Sequence, residues 1–314
     1  MTRSTKIPVL LFALVLLLAI VVACDQKLDQ PVGGEVAVVT TTYPLTFITQ
    51  RIGGDRVAVT QLVKPGVEAH DFEPAPSDVV TISNADVFIY NHPAFEGWAL
   101  NAASASRSGS ADGAALVTVQ TINLESQGED HGGQAVVDAN LDPHVWLNPL
   151  KAQEQAERVL SALVAVDPEG TKTYVRNADG LRVELRALDD LISKRLSSCE
   201  LDSVVVSHLA FGHMAERYGF EQIGLAGLSP EFESGPAQSA GVIKRIDELG
   251  IRHILQEPIV GDRLAKTVAA ETGAEILALH PLEVRTADEA SRGLNYFDIM
   301  KDNGESLGIA LRCG

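Results

Sequence analysis

Short apolar runs punctuate this chain, and between them lie longer segments whose apolar positions recur at helical spacing. The runs at 35–42, 57–63, 85–90 and 116–119 read as buried strands, and the same rhythm returns at 203–206, 220–225, 252–255 and 275–279. Helices are expected at 44–52 (ended by Gly53 and Gly54), after Ser77 (a candidate cap), from Phe95 onward, and at 153–166 on a turn opened by Pro149. In the second half they are expected at 239–249, 262–272 and 296–311, the first two stopped by Gly250 and Gly273. Residues 168–197 carry Val175, Leu181, Leu185, Leu188, Leu191, Ile192 and Leu196 at helical spacing, enough for a helix about 45 Å long. Strands alternating with helices imply parallel sheets and an α/β class. The reading is therefore two lobes, 35–166 and 199–314, each a parallel-type sheet with surrounding helices, joined by one long backbone helix at 167–198.

Residues 1–23 stand outside that pattern. Arg3 and Lys6 precede an unbroken apolar stretch that ends in Val21-Val22-Ala23-Cys24. This is the layout of an export signal, and the tetrapeptide resembles the lipobox of bacterial lipoproteins, whose cysteine becomes the lipidated first residue. An ordinary signal peptide or a single membrane anchor is the alternative. With lipidation at Cys24, residues 24–34 become a polar linker and the protein is held by its lipid at the outer face of the cytoplasmic membrane.

Composition narrows the function. The chain has 314 residues, 46% hydrophobic and 21% charged, with a formal net charge of −17. That is a globular composition, and it lacks the basic patch that nucleic acid would need. Beyond Cys24 only Cys199 and Cys313 remain. Outside the cytoplasm such a pair is most simply a disulfide, and neither sits in a metal-binding C-x-x-C spacing.

Four of the eight histidines share a setting. His70, His208 and His280 each follow an expected strand, and ligands of open α/β sheets bind beyond the carboxyl ends of strands. His144 lies on a turn stiffened by Pro143 and anchored by Val145, Trp146 and Leu147. Two come from each half, so all four could meet between the lobes. Four imidazoles suit Zn²⁺ and suit oxygen-seeking Mn²⁺ or Ca²⁺ poorly. Four unrelated structural histidines would fit the spacing alone equally well. His253 falls inside a strand and reads as structural. His131 sits in a Gly-rich acidic loop, 125–140, expected to be mobile.

The chain resembles the zinc and manganese receptors of ABC transporters, the metal-binding class of bacterial solute-binding lipoproteins. The matching stretches are Pro65-Gly66, His70 through Asp78, Asp142 through Leu147, Ser207 through Gly212 with Arg217-Tyr218-Gly219, and Glu257-Pro258. The resemblance implies two α/β lobes on one long helix, with His70, His144 and His208 binding the metal. It also implies a fourth ligand at the position of His280, where the family usually has an acidic residue. His280 in that place speaks against manganese. His213 replaces the family's usual aromatic, and His92 stands where small residues are common; both read as packing or cleft-edge residues.

The function expected is capture of Zn²⁺ as a transported ligand and its delivery to an ABC permease by a monomeric binding protein, with no bond chemistry. A manganese or iron receptor is the rival within the class. A zinc hydrolase would need an open coordination position and a general base, and no H-E-x-x-H occurs. A surface adhesin is a further alternative.

Overall fold

The computed structural model describes residues 35–107, 117–121, 142–230 and 235–314. The signal segment, Cys24, the 24–34 linker and the 125–140 loop with His131 lie outside the described residues. The described strands form two sheets of four, every pairing parallel. In the first sheet β1 (Val36–Thr40), β2 (Val57–Gln61), β3 (Val87–Tyr90) and β4 (Val117–Gln120) run in the order β2-β1-β3-β4. In the second, β5 (Ser203–Val206), β6 (Glu221–Gly224), β7 (His253–Gln256) and β8 (Glu275–Ala278) repeat that order as β6-β5-β7-β8.

The central strands are apolar on both faces because helices cover both. Alternate residues serve different cores. Val38, Val87 and Ile89 point into the same core as Val204 and Val206 of the other lobe. Val39, Phe88 and Tyr90 face a second core under helices α2 (Pro76–Ser83) and α3 (Ala99–Arg107). Val205 faces a third, under α7 (Pro236–Leu249) and α8 (Arg263–Thr272). The inner faces of the two sheets thus contribute to one continuous core. Helices α1 (Tyr43–Gly53), α4 (Pro149–Val166), α5 (Thr171–Arg195) and α10 (Tyr296–Ala310) complete it.

α5 is the spine. It has 25 residues, about 38 Å of helix. A single 3₁₀ turn, Pro168–Gly170, precedes it, and Asp167 closes that turn by accepting Gly170 N–H. The helix is therefore shorter at both ends than the apolar spacing suggests. Leu181, Leu185, Leu188 and Ile192 are buried, whereas Val175 and Leu191 are exposed. Asp189 on this spine is buried and takes a bidentate ion pair from Arg217, plus a hydrogen bond from Tyr218 O–H. Both partners lie on α6 (Gly212–Tyr218), a helix the sequence pattern did not predict. The short α9 (Ala287–Ser291) was not predicted either.

Ser77 is not a cap. Pro76 already opens α2, Ala75 precedes it, and the Asp78 carboxylate accepts the Ala75 N–H instead. At α4 the cap is Asn148, whose side chain accepts Leu150 N–H. Cys199 and Cys313 are joined as a disulfide, tying the segment after α10 to the segment just after the spine. No helix among the described residues is long and apolar enough to cross a membrane.

Candidate metal centre

Four segments, two from each lobe, deliver side chains to one point. His70 comes from the loop after β2, which Gly66 turns with φ 81° and anchors by donating its N–H to Arg285 O. His144 precedes a 3₁₀ turn, Val145–Leu147, whose three side chains are all buried. His208 follows β5, and Glu283 follows β8 through a turn at 279–282. One ligand-capable atom from each of these four lies within 4.8 Å of the other three.

The geometry centres on Glu283. Its Oε1 lies 3.1 Å from His70 Nε2, 3.1 Å from His144 Nε2 and 3.7 Å from His208 Nε2. The imidazole centroids are 5.4 to 5.7 Å apart. Phe95 meets His70 edge-on at 4.8 Å, and Trp146 lies 5.4 Å from His144. These rings wall the cluster from water. His144 and His208 are fully buried, while His70 keeps 10% of its side chain exposed.

Outer carboxylates fix the rings. His144 Nδ1 lies 2.8 Å from Asp142 Oδ1, which also accepts the His144 backbone N–H. His208 Nδ1 is hydrogen-bonded to Glu257, and Glu257 accepts Ser207 O–H as well. A neutral imidazole donates from one nitrogen and offers a lone pair at the other. With Nδ1–H given to a carboxylate, Nε2 of both rings presents its lone pair to the cluster. His208 Nε2 is buried and has no hydrogen-bond partner. Lone pairs aimed at a carboxylate oxygen repel unless a proton or a cation lies between them.

The titration directions agree. Burial opposes the charge on His144, but hydrogen bonds to Asp142 and Glu283, and their negative charges, outweigh it and push the group up to about 10. Burial would raise Glu283, yet the charge of His70 and hydrogen bonds from His144 and His70 hold it well below the usual carboxylate range. Without a metal, His144 and Glu283 each favour the charged form. Three imidazole nitrogens and one carboxylate oxygen are also a suitable tetrahedral set for zinc, and the Asp142 and Glu257 contacts are the outer carboxylates that metal-bound histidines commonly have.

A protein-family model described as "ZnuA: Zinc-uptake complex component A periplasmic" matches residues 38–310. The chain belongs to the ZnuA family. The family is one of binding components of zinc uptake, not of enzymes. Among its relatives, the high-affinity zinc uptake system protein ZnuA of Bacillus subtilis (strain 168) is 34% identical over 284 residues, 89% of this chain and 88% of that protein. The zinc-binding lipoprotein AdcA of Streptococcus pneumoniae is 30% identical over 96% of this chain, which spans 60% of AdcA's length. The solved Zn(II)-bound ZnuA-like domain of that AdcA superposes with a TM-score of 0.74 at 29% identity, covering 88% of this chain and 99% of the domain. The laminin-binding adhesin Lmb of Streptococcus agalactiae superposes with a TM-score of 0.76 at 27% identity, covering 88% of this chain and 99% of Lmb.

In this ZnuA-family chain the cluster holds His70, His144 and His208 but not His280. The His280 ring turns away, with Nδ1 accepting Leu282 N–H at 2.8 Å and Nε2 3.1 Å from Glu289 Oε2. The fourth place falls to Glu283, three residues on. An argument against manganese that rests on four imidazoles does not apply to this cluster, which brings one carboxylate to three imidazoles. The other histidines among the described residues have local roles. His213 bridges Asp142 O and Lys151 Nζ, and so backs the His144 turn. His92 Nδ1 accepts Ala94 N–H, and His253 opens β7.

The outer carboxylates give the first expected result. Glu257→Ala leaves His208 without its Nδ1 partner, which should weaken zinc binding about 10- to 100-fold. A chelator-competition titration reads it. Affinity within twofold of the parent would mean that Glu257 does not orient His208.

Proposed function

We propose that this protein captures one Zn²⁺ ion between its lobes with His70, His144, His208 and Glu283, and delivers it to an ABC permease. It acts as a monomer outside the cytoplasmic membrane, held by a lipid on Cys24. The observation that carries the reading is the convergence of three imidazole nitrogens and one carboxylate oxygen on a single buried point. Three nitrogen donors favour zinc over manganese along the divalent series, and the zinc-binding relatives favour the same ion. One carboxylate halves the uncompensated charge of a divalent ion. Metal is bound and released with no bond made or broken in the protein.

The test is metal analysis of protein lacking residues 1–23, followed by titration with Zn²⁺ and Mn²⁺. The expected outcome is one Zn²⁺ per chain, bound more tightly than Mn²⁺, and held far more weakly in Glu283→Ala. A chain that takes up Mn²⁺ more tightly than Zn²⁺ would overturn the zinc assignment. Unaltered affinity in Glu283→Ala would overturn the ligand set.

A further inference from the structure

His280 has no place in the cluster, yet it is buried and each of its polar groups is engaged. Asn303 clamps its backbone from both sides, accepting His280 N–H and donating to His280 O, each at 2.8 Å. Two residues later, Leu282 takes the left-handed conformation, with φ 63° and a fully buried side chain. A branched residue rarely adopts that conformation, and it persists only where surrounding contacts dictate it. The contact here is the Leu282 N–H, which points into His280 Nδ1.

The ring can accept at Nδ1 because its other nitrogen faces a carboxylate. Glu289 Oε2 lies 3.1 Å from His280 Nε2 and also accepts Thr286 N–H at 2.8 Å, so the acid is itself fixed at the start of α9. The flanking residues are tied as well. Trp146 donates to Pro281 O at 2.7 Å, and Tyr43 N–H donates to Glu283 O at 2.8 Å. The turn from His280 to Glu283 is thus held at every residue, and its one unfavourable backbone angle is held by an imidazole.

We infer that His280 is a positioning residue for the metal site: its ring captures the Leu282 N–H and fixes the left-handed turn that sets Glu283 among the three histidines. This rests on the ligand set proposed above. It separates the two polar roles at the end of β8, with Glu283 touching the ion and His280 shaping the backbone that aims it. Asparagine is the conservative substitute, since its side-chain oxygen also branches from Cγ and can accept the same N–H.

A double-mutant cycle tests it, with Zn²⁺ affinity measured on the whole exported chain. His280→Ala should weaken binding about tenfold or more in the parent, the size typical of losing a group that orients a metal ligand, and less than about twofold in Glu283→Ala. His280→Asn should stay within about threefold of the parent, well under that loss. If His280→Ala does not fold, Glu289→Ala takes its place, because it frees the ring and leaves the Asn303 clamp intact. Equal losses with and without Glu283, or an asparagine variant no better than alanine, would overturn the positioning role and leave the metal site standing. If Glu283→Ala itself binds like the parent, the ligand set fails and this role falls with it.

Discussion

Replacing His144 with alanine is expected to weaken zinc binding by at least about 1000-fold, or roughly 4 kcal/mol on the affinity scale. Losing an outer partner of a ligand typically costs about 10- to 100-fold, and loss of a ligand should exceed that. His144 is also the ring on which most of the site leans. It is fully buried, held by Asp142 on one nitrogen, faces Glu283 with the other, and contacts both His70 and His208. Its removal opens the shell and leaves Asp142 and Glu283 each short of a partner. Chelator competition gives the affinity. Melting with and without zinc gives an independent reading, since zinc at about 1000 times its dissociation constant stabilises the native state by about 4 kcal/mol, and most of that should vanish. A variant binding within tenfold of the parent would remove His144 from the ligand set.

The second large effect concerns stability. Converting Cys199 and Cys313 together to serine should lower the unfolding free energy by about 4 kcal/mol, with a drop in melting temperature on the order of 10 °C. The disulfide spans 114 residues of sequence, so the unfolded chain loses a large loop's freedom when it is closed. That figure is the chain-entropy value; native hydrogen bonds that remain without the disulfide do not change it. Gly314 N–H still reaches Ser198 O and Leu201 N–H still reaches Leu311 O. The bridge lies apart from the four converging side chains, so zinc affinity should hold while stability falls. Denaturant unfolding of the oxidised parent beside the double variant reads the difference. Equal midpoints, or two free thiols in the unreduced parent by mass after alkylation, would contradict the structural role.

The central strands stand out as apolar runs, as at Val87–Tyr90 and Ser203–Val206, and glycines end several of the helices. All eight strands sit within two or three residues of where the apolar runs place them. α6 was hidden because it has seven residues, starts at Gly212, and buries only Met214 and Ala215, too few to show a period. The apolar spacing overextends the spine because Pro168 opens a separate 3₁₀ turn and Leu196, though buried, is the residue that caps the helix. At the centre, the three histidines stood out through prolines, aromatics and strand ends. Glu283 did not, because nothing in Pro281-Leu282-Glu283-Val284 announces a left-handed leucine. One signal was available. The family resemblance implies an acidic fourth ligand, and Glu283 is the nearest acid after β8. His280 stands nearer the strand, and Glu283 carries the charge that the resemblance implies.

The four converging groups come from positions 70, 144, 208 and 283, so His70 and Glu283 meet across 213 residues of sequence. No short piece of the chain carries more than one of them. While the protein is being made, the strands of the first sheet precede Glu283, and the cluster must wait for that residue, the last of the four in sequence. An unfolded or truncated chain offers a zinc ion only scattered single donors, which hold it weakly. The metal therefore distinguishes molecules in which all four segments have come together from those in which they have not, and bound zinc in a preparation counts the former.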